Sequence, residues 1–241
     1  MKNLFMLLVA ISTVFLYSCD DDNTSPNDQE FSVVIENVSL NNTLPTSRID
    51  GTVPLSHGVY AVMASGDLFT MGQTADAGTS RIAEDGFTTE KTNSLNNQED
   101  VRDHGEFVAP GGPDNGAALF AGETSTFIIS ARPGDKLQIQ TMFVQSNDWF
   151  YAFGNGGLDL FNGNDPITGN VTSDLVLYDA GTEADEVPGV GIYQKPAQGP
   201  LDMNFGPADA TTTISQAVVR HTQFTIPATA SVIRITVTPK Q

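Results

Sequence analysis

Short apolar runs with the period of a β-strand recur along most of the chain. Residues 124–131 (TSTFIISA) and 136–145 (KLQIQTMFVQ) alternate most clearly between apolar and polar positions. Because successive side chains of a strand point to opposite faces, both runs predict strands. Further runs that are rich in β-branched or aromatic residues predict strands at 31–40, 57–65, 171–179, 218–227 and 231–239.

Turn residues separate these runs. The sequence RPGD at 132–135 is typical of a tight turn, and it predicts that residues 124–131 and 136–145 form a hairpin. The sequence APGGPDNG at 109–116 predicts a loop. Between residues 79 and 102 the apolar period is weak, and IAEDG and TTEKTNSLNNQ predict one or two short helices.

The order of these elements indicates the fold class. Many short strands are joined by turns, and the first and last predicted elements are both β. This arrangement favours an all-β fold, an antiparallel β-sandwich that forms one domain over residues 31–241.

The amino terminus has the pattern of a targeting segment. Lys2 precedes an apolar run at 4–17 that is short for a membrane span, which predicts a signal peptide over residues 1–18. The run ends in LYSC, which resembles the lipobox of bacterial lipoproteins and implies that Cys19 carries the lipid. The alternatives are an ordinary secretory signal with an incidental Cys, or an uncleaved anchor.

Residues 19–30 predict a solvated tether. The segment after Cys19 is DDDNTSPNDQE, which is acidic and has no hydrophobic period. It resembles the export signal that sends lipoproteins of the Bacteroidetes type to the cell surface, although a generic linker explains it equally well. We therefore expect a lipid-anchored protein of the bacterial cell envelope, at the outer membrane and exposed at the surface or facing the periplasm.

Composition excludes several classes of protein. The chain of 241 residues has 11 Lys and Arg against 29 Asp and Glu, so it lacks the basic face that a nucleic-acid binder needs. With three His and one Cys, an ordinary Cys/His zinc site and a disulfide framework within the chain are both excluded. Contact with a membrane is expected only through the lipid anchor.

An acid stands beside a cluster of aromatic residues at the end of one predicted strand. Asp148 is followed by Trp149, the only Trp of the chain, and by three more aromatic residues within 150–153. A charge next to so much aromatic surface is costly without a partner. A bound cation is one partner that would offset this cost.

Two further acids flank a glycine at the end of another predicted strand. Asp179 and Glu183 lie four residues apart, and Gly181 between them allows a tight loop that turns both side chains to one point. Calcium takes about six to eight oxygen ligands from carboxylates, carbonyls and water. The alternative is that these acids are solvated loop residues, with Asp179 capping a turn.

Both acidic motifs carry a family resemblance. The sequence TMFVQSNDWFYAF at 141–153, followed by LVLYDAGTE at 175–183, is similar to the spondin N-terminal domain of F-spondin, mindin and many bacterial secreted proteins. The resemblance covers most of residues 31–241. It implies an eight-stranded, C2-like antiparallel sandwich with Ca²⁺ at one end, bound by Asp148, Asp179 and Glu183.

The chain departs from that family pattern at two places. Glu183 stands where the family usually has Asp, and it reaches further while remaining a good ligand. The strand segment TFIIS offers no additional acid, so carbonyls or water would complete the site. The reserve ligands are Asp174, Asp185 and Glu186.

The resemblance implies an adhesion or ligand-binding module without catalysis, whose partner is an extracellular protein or a glycan. One alternative is a hydrolase that acts on an envelope or extracellular polymer, and another is a structural envelope component with a stabilising calcium ion. No GxSxG motif accompanies His57, His104 or His221, so these histidines are interpreted as structural or surface residues.

Overall fold

The computed structural model describes residues 28–110, 118–154, 156–198 and 206–241. The predicted signal peptide, Cys19, most of the predicted tether and most of the predicted loop at 109–116 lie outside these ranges. In the described ranges, no helix combines the length and the apolarity that crossing a membrane requires.

The described chain is mostly β-structure. Its strands are β1 Gln29–Asn37, β2 Leu55–Met63, β3 Val101–Phe107, β4 Thr124–Ala131, β5 Lys136–Phe143, β6 Trp149–Phe153, β7 Leu158–Asp159, β8 Phe161–Asn162, β9 Asp165–Pro166, β10 Gly169–Asn170, β11 Leu175–Asp179, β12 Ser215–Gln216 and β13 Ile233–Pro239. Its α-helices are α1 Ala77–Asp85, α2 Thr89–Leu95, α3 Lys195–Gln198 and α4 Ala217–Arg220, with 3₁₀ turns at Thr172–Asp174 and Thr229–Ser231.

Within the described ranges, the strands form two large antiparallel sheets and one separate antiparallel pair, β8 with β9. The first sheet has the order β10-β13-β1-β4, and the second has the order β12-β11-β6-β5-β2-β3 with β7 paired to β5. In the described ranges, eight strands have five residues or more: β1 to β6, β11 and β13. The predicted all-β sandwich with about eight strands is therefore confirmed.

The main core lies between the two sheets. Alternate residues of β1 are fully buried there, namely Phe31, Val33 and Ile35, and they face the interior together with alternate residues of β13. Each such side chain contributes about 1.5–3 kcal/mol when it leaves water. These strands alternate between apolar and polar residues because their sheet buries one of its two faces.

Strand β5 is buried on both faces, because α1 packs over the outer side of the second sheet. Helix α1 begins after Asp76, whose side chain caps it, and ends at Gly86 with φ 75°. Ile82 of α1 and Leu95 of α2 contribute to a smaller core on this outer face. The prediction of one or two short helices between residues 79 and 102 is confirmed: there are two, and α1 begins slightly earlier, at Ala77.

The predicted hairpin at RPGD is wrong. Strand β4 pairs with β1 in the first sheet, whereas β5 pairs with β2, β6 and β7 in the second, so the turn carries the chain from one sheet to the other. Asp135 fixes this crossing, since it accepts hydrogen bonds from the Arg132 backbone N–H at 2.7 Å and from the Arg102 guanidinium at 3.0 Å.

Two other segments differ from the sequence prediction. Residues 218–227 were expected to form a strand, but the chain turns into α4 there because Ala217 is buried in the core while Val218 and Val219 point outward. Strand β3 was not predicted. It is a half-buried edge strand, and polar side chains are common on such edges.

Candidate metal centre

The pairing of β6 with β11 places two of the predicted ligands at one end of the second sheet. Trp149 is directly opposite Asp179 in the antiparallel register. Asp148 immediately precedes Trp149, and its carbonyl accepts a hydrogen bond from Ala180 N at 3.1 Å. Asp148 and Asp179 therefore lie at the same end of the second sheet, although they are 31 positions apart in the sequence.

Asp148 is fully buried and only one of its two oxygens has hydrogen-bond partners. Its Oδ2 accepts from the backbone N–H of Thr182 at 2.6 Å and of Glu183 at 3.0 Å. Its Oδ1 has no partner among the described residues. Burial raises the pKa of Asp148 well above its usual range, and the nearby charges of Asp179 and Asp185 raise it further.

Asp179 is also fully buried, but both of its oxygens are engaged. Its Oδ1 accepts from Gly181 N at 2.6 Å and from the Arg220 guanidinium at 3.1 Å. Its Oδ2 lies 2.5 Å from His221 Nε2. Burial raises the pKa of Asp179, and the hydrogen bond with His221 partly opposes that shift.

The loop geometry at Asp179 depends on Gly181. Its φ is 68°, which a residue with a side chain rarely adopts. A Cβ atom at this position would lie 2.7 Å from the Thr211 carbonyl oxygen. This geometry agrees with the tight loop that is predicted at Gly181.

Asp185 and His221 complete the group. Asp185 Oδ2 lies 3.1 Å from His221 Nε2, and Asp185 Oδ1 accepts from Trp149 Nε1 at 2.5 Å. The His221 ring contacts both Trp149 and Phe224, with ring centroids 5.2 and 5.4 Å away, and these two rings also lie 6.2 Å from each other. Burial alone would lower the pKa of His221, but the hydrogen bonds and charges of the two acids raise it to about 9.

Three of these residues have the spacing of metal ligands. One ligand atom each from Asp179, Asp185 and His221 lie within 4.8 Å of one another, so this group could hold a metal ion. Asp185 was a reserve ligand in the sequence interpretation. His221 was not, because it lies 42 residues beyond Asp179 and no local motif in the sequence connects the two.

Glu183 contributes its backbone to this centre, while its carboxyl group has other neighbours. Its Oε1 accepts from Gly206 N at 3.0 Å, and its Oε2 is buried with no hydrogen-bond partner in the described ranges. Burial raises the pKa of Glu183 to about 7, and the charges that add to this shift belong to Glu84 and Asp85 of α1.

The remaining reserve ligands have other roles. Asp174 lies in a 3₁₀ turn at the opposite end of β11, where its carbonyl accepts from Gly154 N. The Glu186 carboxyl group accepts from the backbone N–H groups of Ile192 and Tyr193 at 3.0 and 2.9 Å. We define the acid cluster as Asp148, Asp179 and Asp185. Glu186 organises the loop that follows this cluster.

The charges and hydrogen bonds around the acid cluster are compatible with a bound cation. Arg220 and His221 supply positive charge on the Asp179 side of the cluster. Asp148 Oδ1 is buried and receives no donor from the described residues, and the charges of Asp179 and Asp185 raise the pKa of its carboxyl group. Carboxylate oxygens in such a setting are suitable ligands for a divalent ion.

A comparison with protein families finds a family model that matches this chain. The family model described as Spondin_N matches residues 61–189, which is more than half of the chain. This protein belongs to the spondin N-terminal domain family. A search of curated proteins found no match.

The spondin match covers the acid cluster and Glu183, but not the two cations that pair with Asp179. Arg220 and His221 lie beyond residue 189, as do β12 and β13. Membership of the spondin family indicates an extracellular module of the adhesion type, and the family is not known as one of enzymes.

Proposed function

We propose that this protein is a calcium-binding spondin module that is held at the surface of a bacterial cell and binds an extracellular protein or a glycan without catalysing a reaction. The observation that carries the proposal is Asp148 Oδ1, a fully buried carboxylate oxygen without a hydrogen-bond partner among the described residues. Burial raises the pKa of this carboxyl group, and the charges of Asp179 and Asp185 raise it further.

Calcium suits the oxygen donors of this end of the sandwich. Asp148, Asp179 and Asp185 would hold the ion, and backbone carbonyls or water would complete its coordination. Bound there, the ion would supply positive charge and would tie the start of β6 to the loop after β11. Glu183 fixes one side of the site through its backbone N–H, which donates to Asp148.

The position of the titratable groups favours binding over catalysis. A hydrolase needs acids and bases that converge in a cleft open to substrate. Here Asp148 and Asp179 are 0 % exposed and His221 is 5 % exposed. Five grooves on the described surface have no histidine among their lining residues.

The location at the cell surface rests on the amino-terminal sequence. A lipid on Cys19 followed by the acidic tether would hold the sandwich near the membrane without inserting it. Labelling cells with radioactive palmitate tests this: the wild-type protein should take up the label, and Cys19→Ser should not. Label on the Cys19→Ser protein would contradict the lipoprotein proposal.

Thermal melting in calcium tests the proposed ion. A ligand that binds only the folded state raises the unfolding free energy by about 2.7 kcal/mol at one hundred times its Kd, which corresponds to roughly 5–10 °C for a chain of this length. We expect this rise in the wild type and not in Asp148→Asn. Asp165→Asn removes an exposed acid and is the matched control, which should respond as the wild type does.

A glycan and protein array distinguishes the binding module from a purely structural component. The purified protein should bind a defined set of ligands in calcium, and Asp148→Asn should bind the same set more weakly. A protein that melts at a higher temperature in calcium but binds nothing on the array would favour the structural alternative.

A further inference from the structure

A groove of about 400 Å³ opens on the outer face of the second sheet, beside the smaller cores that pack under α1. It is lined by Val176 and Tyr178 of β11 and by Asp67, Phe69 and Thr70, which belong to the loop between β2 and α1. None of its lining residues belongs to the acid cluster. Its volume lies in the range of ligand pockets in proteins.

Four polar side chains that line the groove make no hydrogen bond with the described residues. They are the Asp67 carboxylate, the Thr70 and Tyr178 hydroxyl groups and the Gln216 amide. Tyr178 is 4 % exposed, and the hydroxyl group of a tyrosine buried to this extent usually has a partner. The groove therefore offers several hydrogen-bonding groups that the protein itself does not use.

Two of these groups point to the same end of the groove. A Cβ atom on Gly154 would lie 3.7 Å from Tyr178 Oη, and a Cβ on Gly156 would lie 2.7 Å from Asp67 Oδ1. Both glycines also line the groove. The absence of side chains at these two positions keeps the space beside the hydroxyl and the carboxylate open.

The loop that carries Asp67 and Phe69 is fixed before any ligand binds. Gln138 of β5 accepts from Leu68 N at 2.7 Å and donates to the Gly66 carbonyl at 2.9 Å. The Phe69 ring packs 4.8 Å from the Tyr178 ring, between ring centroids. Because the lining is already ordered, a ligand would not have to order it on binding.

The unused groups match the hydroxyl groups of a sugar. A carboxylate only accepts hydrogen bonds, whereas hydroxyl and amide groups both donate and accept, and each sugar hydroxyl can do both as well. Phe69, Val176 and the exposed Met71 provide apolar surface for the C–H face of a sugar ring.

The groove suits a neutral sugar better than a peptide or an anion. Strand β11 is flanked by β6 and β12, so the β11 segment that lines the groove has no open edge to which a peptide strand could be added. Among the described lining residues Asp67 alone is charged, and the chain has 29 acids against 11 Lys and Arg. Both facts disfavour an anionic ligand.

We propose that this groove binds a neutral saccharide chain, with Asp67, Tyr178 and Gln216 as hydrogen-bond partners of its hydroxyl groups. The proposal rests on the proposed binding function and names the class of ligand and its site. A depression of about 290 Å³ adjoins the groove and shares Asp67 and Gly156 with it. The site is therefore elongated, which suits a chain of sugars better than a single ring.

Affinity electrophoresis in native gels that contain calcium and one soluble polysaccharide tests the proposal. The neutral polymers are mannan, xyloglucan, laminarin and dextran, and polygalacturonate is the anionic comparison. At least one neutral polymer should retard the wild type, and polygalacturonate should not. Tyr178→Phe should weaken binding by about three- to tenfold, and Asp67→Ala by about tenfold or more, because hydrogen bonds to a charged group are stronger.

Tyr193→Phe and Asp165→Ala are the matched controls, since they make the same changes at partly exposed or exposed positions outside the groove. Both should bind as the wild type does. Thermal melting shows that each variant is folded. Tyr178→Phe and Asp67→Ala should keep the calcium-dependent rise of the wild type, because neither residue belongs to the acid cluster.

The outcomes separate this proposal from the proposed function. Unchanged retardation of folded Tyr178→Phe and Asp67→Ala, retardation by polygalacturonate in preference to the neutral polymers, or no retardation by any neutral polymer would overturn the saccharide site. Calcium binding that depends on Asp148 and a protein ligand on the array would still support the proposed function. A protein that binds neither a polysaccharide in the gel nor any ligand on the array would contradict both proposals.

Discussion

Two buried residues illustrate different consequences of a side-chain oxygen that lacks a hydrogen-bond partner. Asp148 Oδ1 and Tyr151 Oη are both buried without a hydrogen-bond partner in the described part of the chain. The aspartate belongs to a group of interacting acids, whereas Tyr151 lies in the apolar core between the sheets. A cation can resolve the first case, but the tyrosine hydroxyl simply loses its hydration on folding.

Replacing Tyr151 by Phe should therefore stabilise the protein. Removing a buried hydroxyl that has no partner recovers part of its desolvation cost, so we expect the free energy of unfolding to rise by about 1 kcal/mol in urea denaturation. Tyr193→Phe, at a partly exposed position, should change it by less than about 0.5 kcal/mol. A loss of stability in Tyr151→Phe would show that this hydroxyl is hydrogen-bonded.

At the scale of elements, one acid joins the two helices on the outer face. Asp76 Oδ1 accepts from Thr79 N at 2.8 Å and caps α1, and Asp76 Oδ2 accepts from Lys91 Nζ of α2 at 2.6 Å. Lys91 Nζ also donates to the Leu68 carbonyl at 2.7 Å. The helices pack closely at this point, since a Cβ on Gly78 would lie 2.7 Å from Lys91 Cα.

Asp76→Ala should destabilise the protein by about 2–4 kcal/mol, because it removes a helix cap and leaves a buried ammonium group with one partner fewer. Chemical denaturation measures the effect. The double variant Asp76→Ala with Lys91→Met should lose less stability than the sum of the two single variants, since no unpaired charge remains. Additive losses would contradict the proposed coupling.

The pair of Asp76 and Lys91 should also make the stability of the protein depend on pH in the acidic range. Burial alone would raise the pKa of Asp76, but the hydrogen bonds and charge of Lys91 and the hydrogen bonds from Thr79 lower it below its ordinary value of 3.8. The stabilisation from Asp76 is then present above pH 3.8 and is lost as the pH falls through the lower pKa of the folded state. Asp76→Asn should flatten this acid limb in melting curves; an unchanged slope would count against it.

The sequence predicted strands better than it predicted their partners. The alternation in β4 and β5 shows that each has an apolar face, but a turn such as RPGD can join strands of one sheet or cross between two. Which happens depends on distant contacts, among them Arg102 with Asp135. Strand β3 was not predicted for a related reason. An edge strand tolerates polar residues, and these residues hide the alternation of apolar and polar positions.

The candidate site was predictable to the same extent. Asp148 and Asp179 follow from local patterns at the ends of strands, and the pairing of β6 with β11 brings them together. The direction of the Glu183 carboxyl group and the approach of His221 follow from packing between segments far apart in sequence. Neither could be obtained from spacing along the chain.

At the scale of the whole molecule, the segment that matches the spondin family is shorter than the segment that forms the sandwich. Residues 61–189 omit β1 and β13, which lie side by side in the centre of the first sheet and pair from Phe31↔Pro239 to Asn37↔Ile233. They also omit the first part of β2. The matched segment therefore lacks the two central strands of the first sheet and keeps only β4 and β10 of that layer.

A fragment of residues 61–189 should fail to fold, because its second sheet would expose the apolar face that β1 and β13 cover. A protein of residues 28–241 should melt cooperatively in circular dichroism. Cooperative melting of the shorter fragment would contradict the two-sheet account of stability.

Isothermal titration calorimetry of the wild type and Asp148→Asn measures whether the acid cluster, at the start of β6 and the end of β11, binds a divalent ion. We expect CaCl₂ to bind the wild type at one site per chain, and we expect Asp148→Asn to remain folded but to have lost this binding. Equal binding by the two proteins, or no binding by the folded wild type, would contradict this expectation.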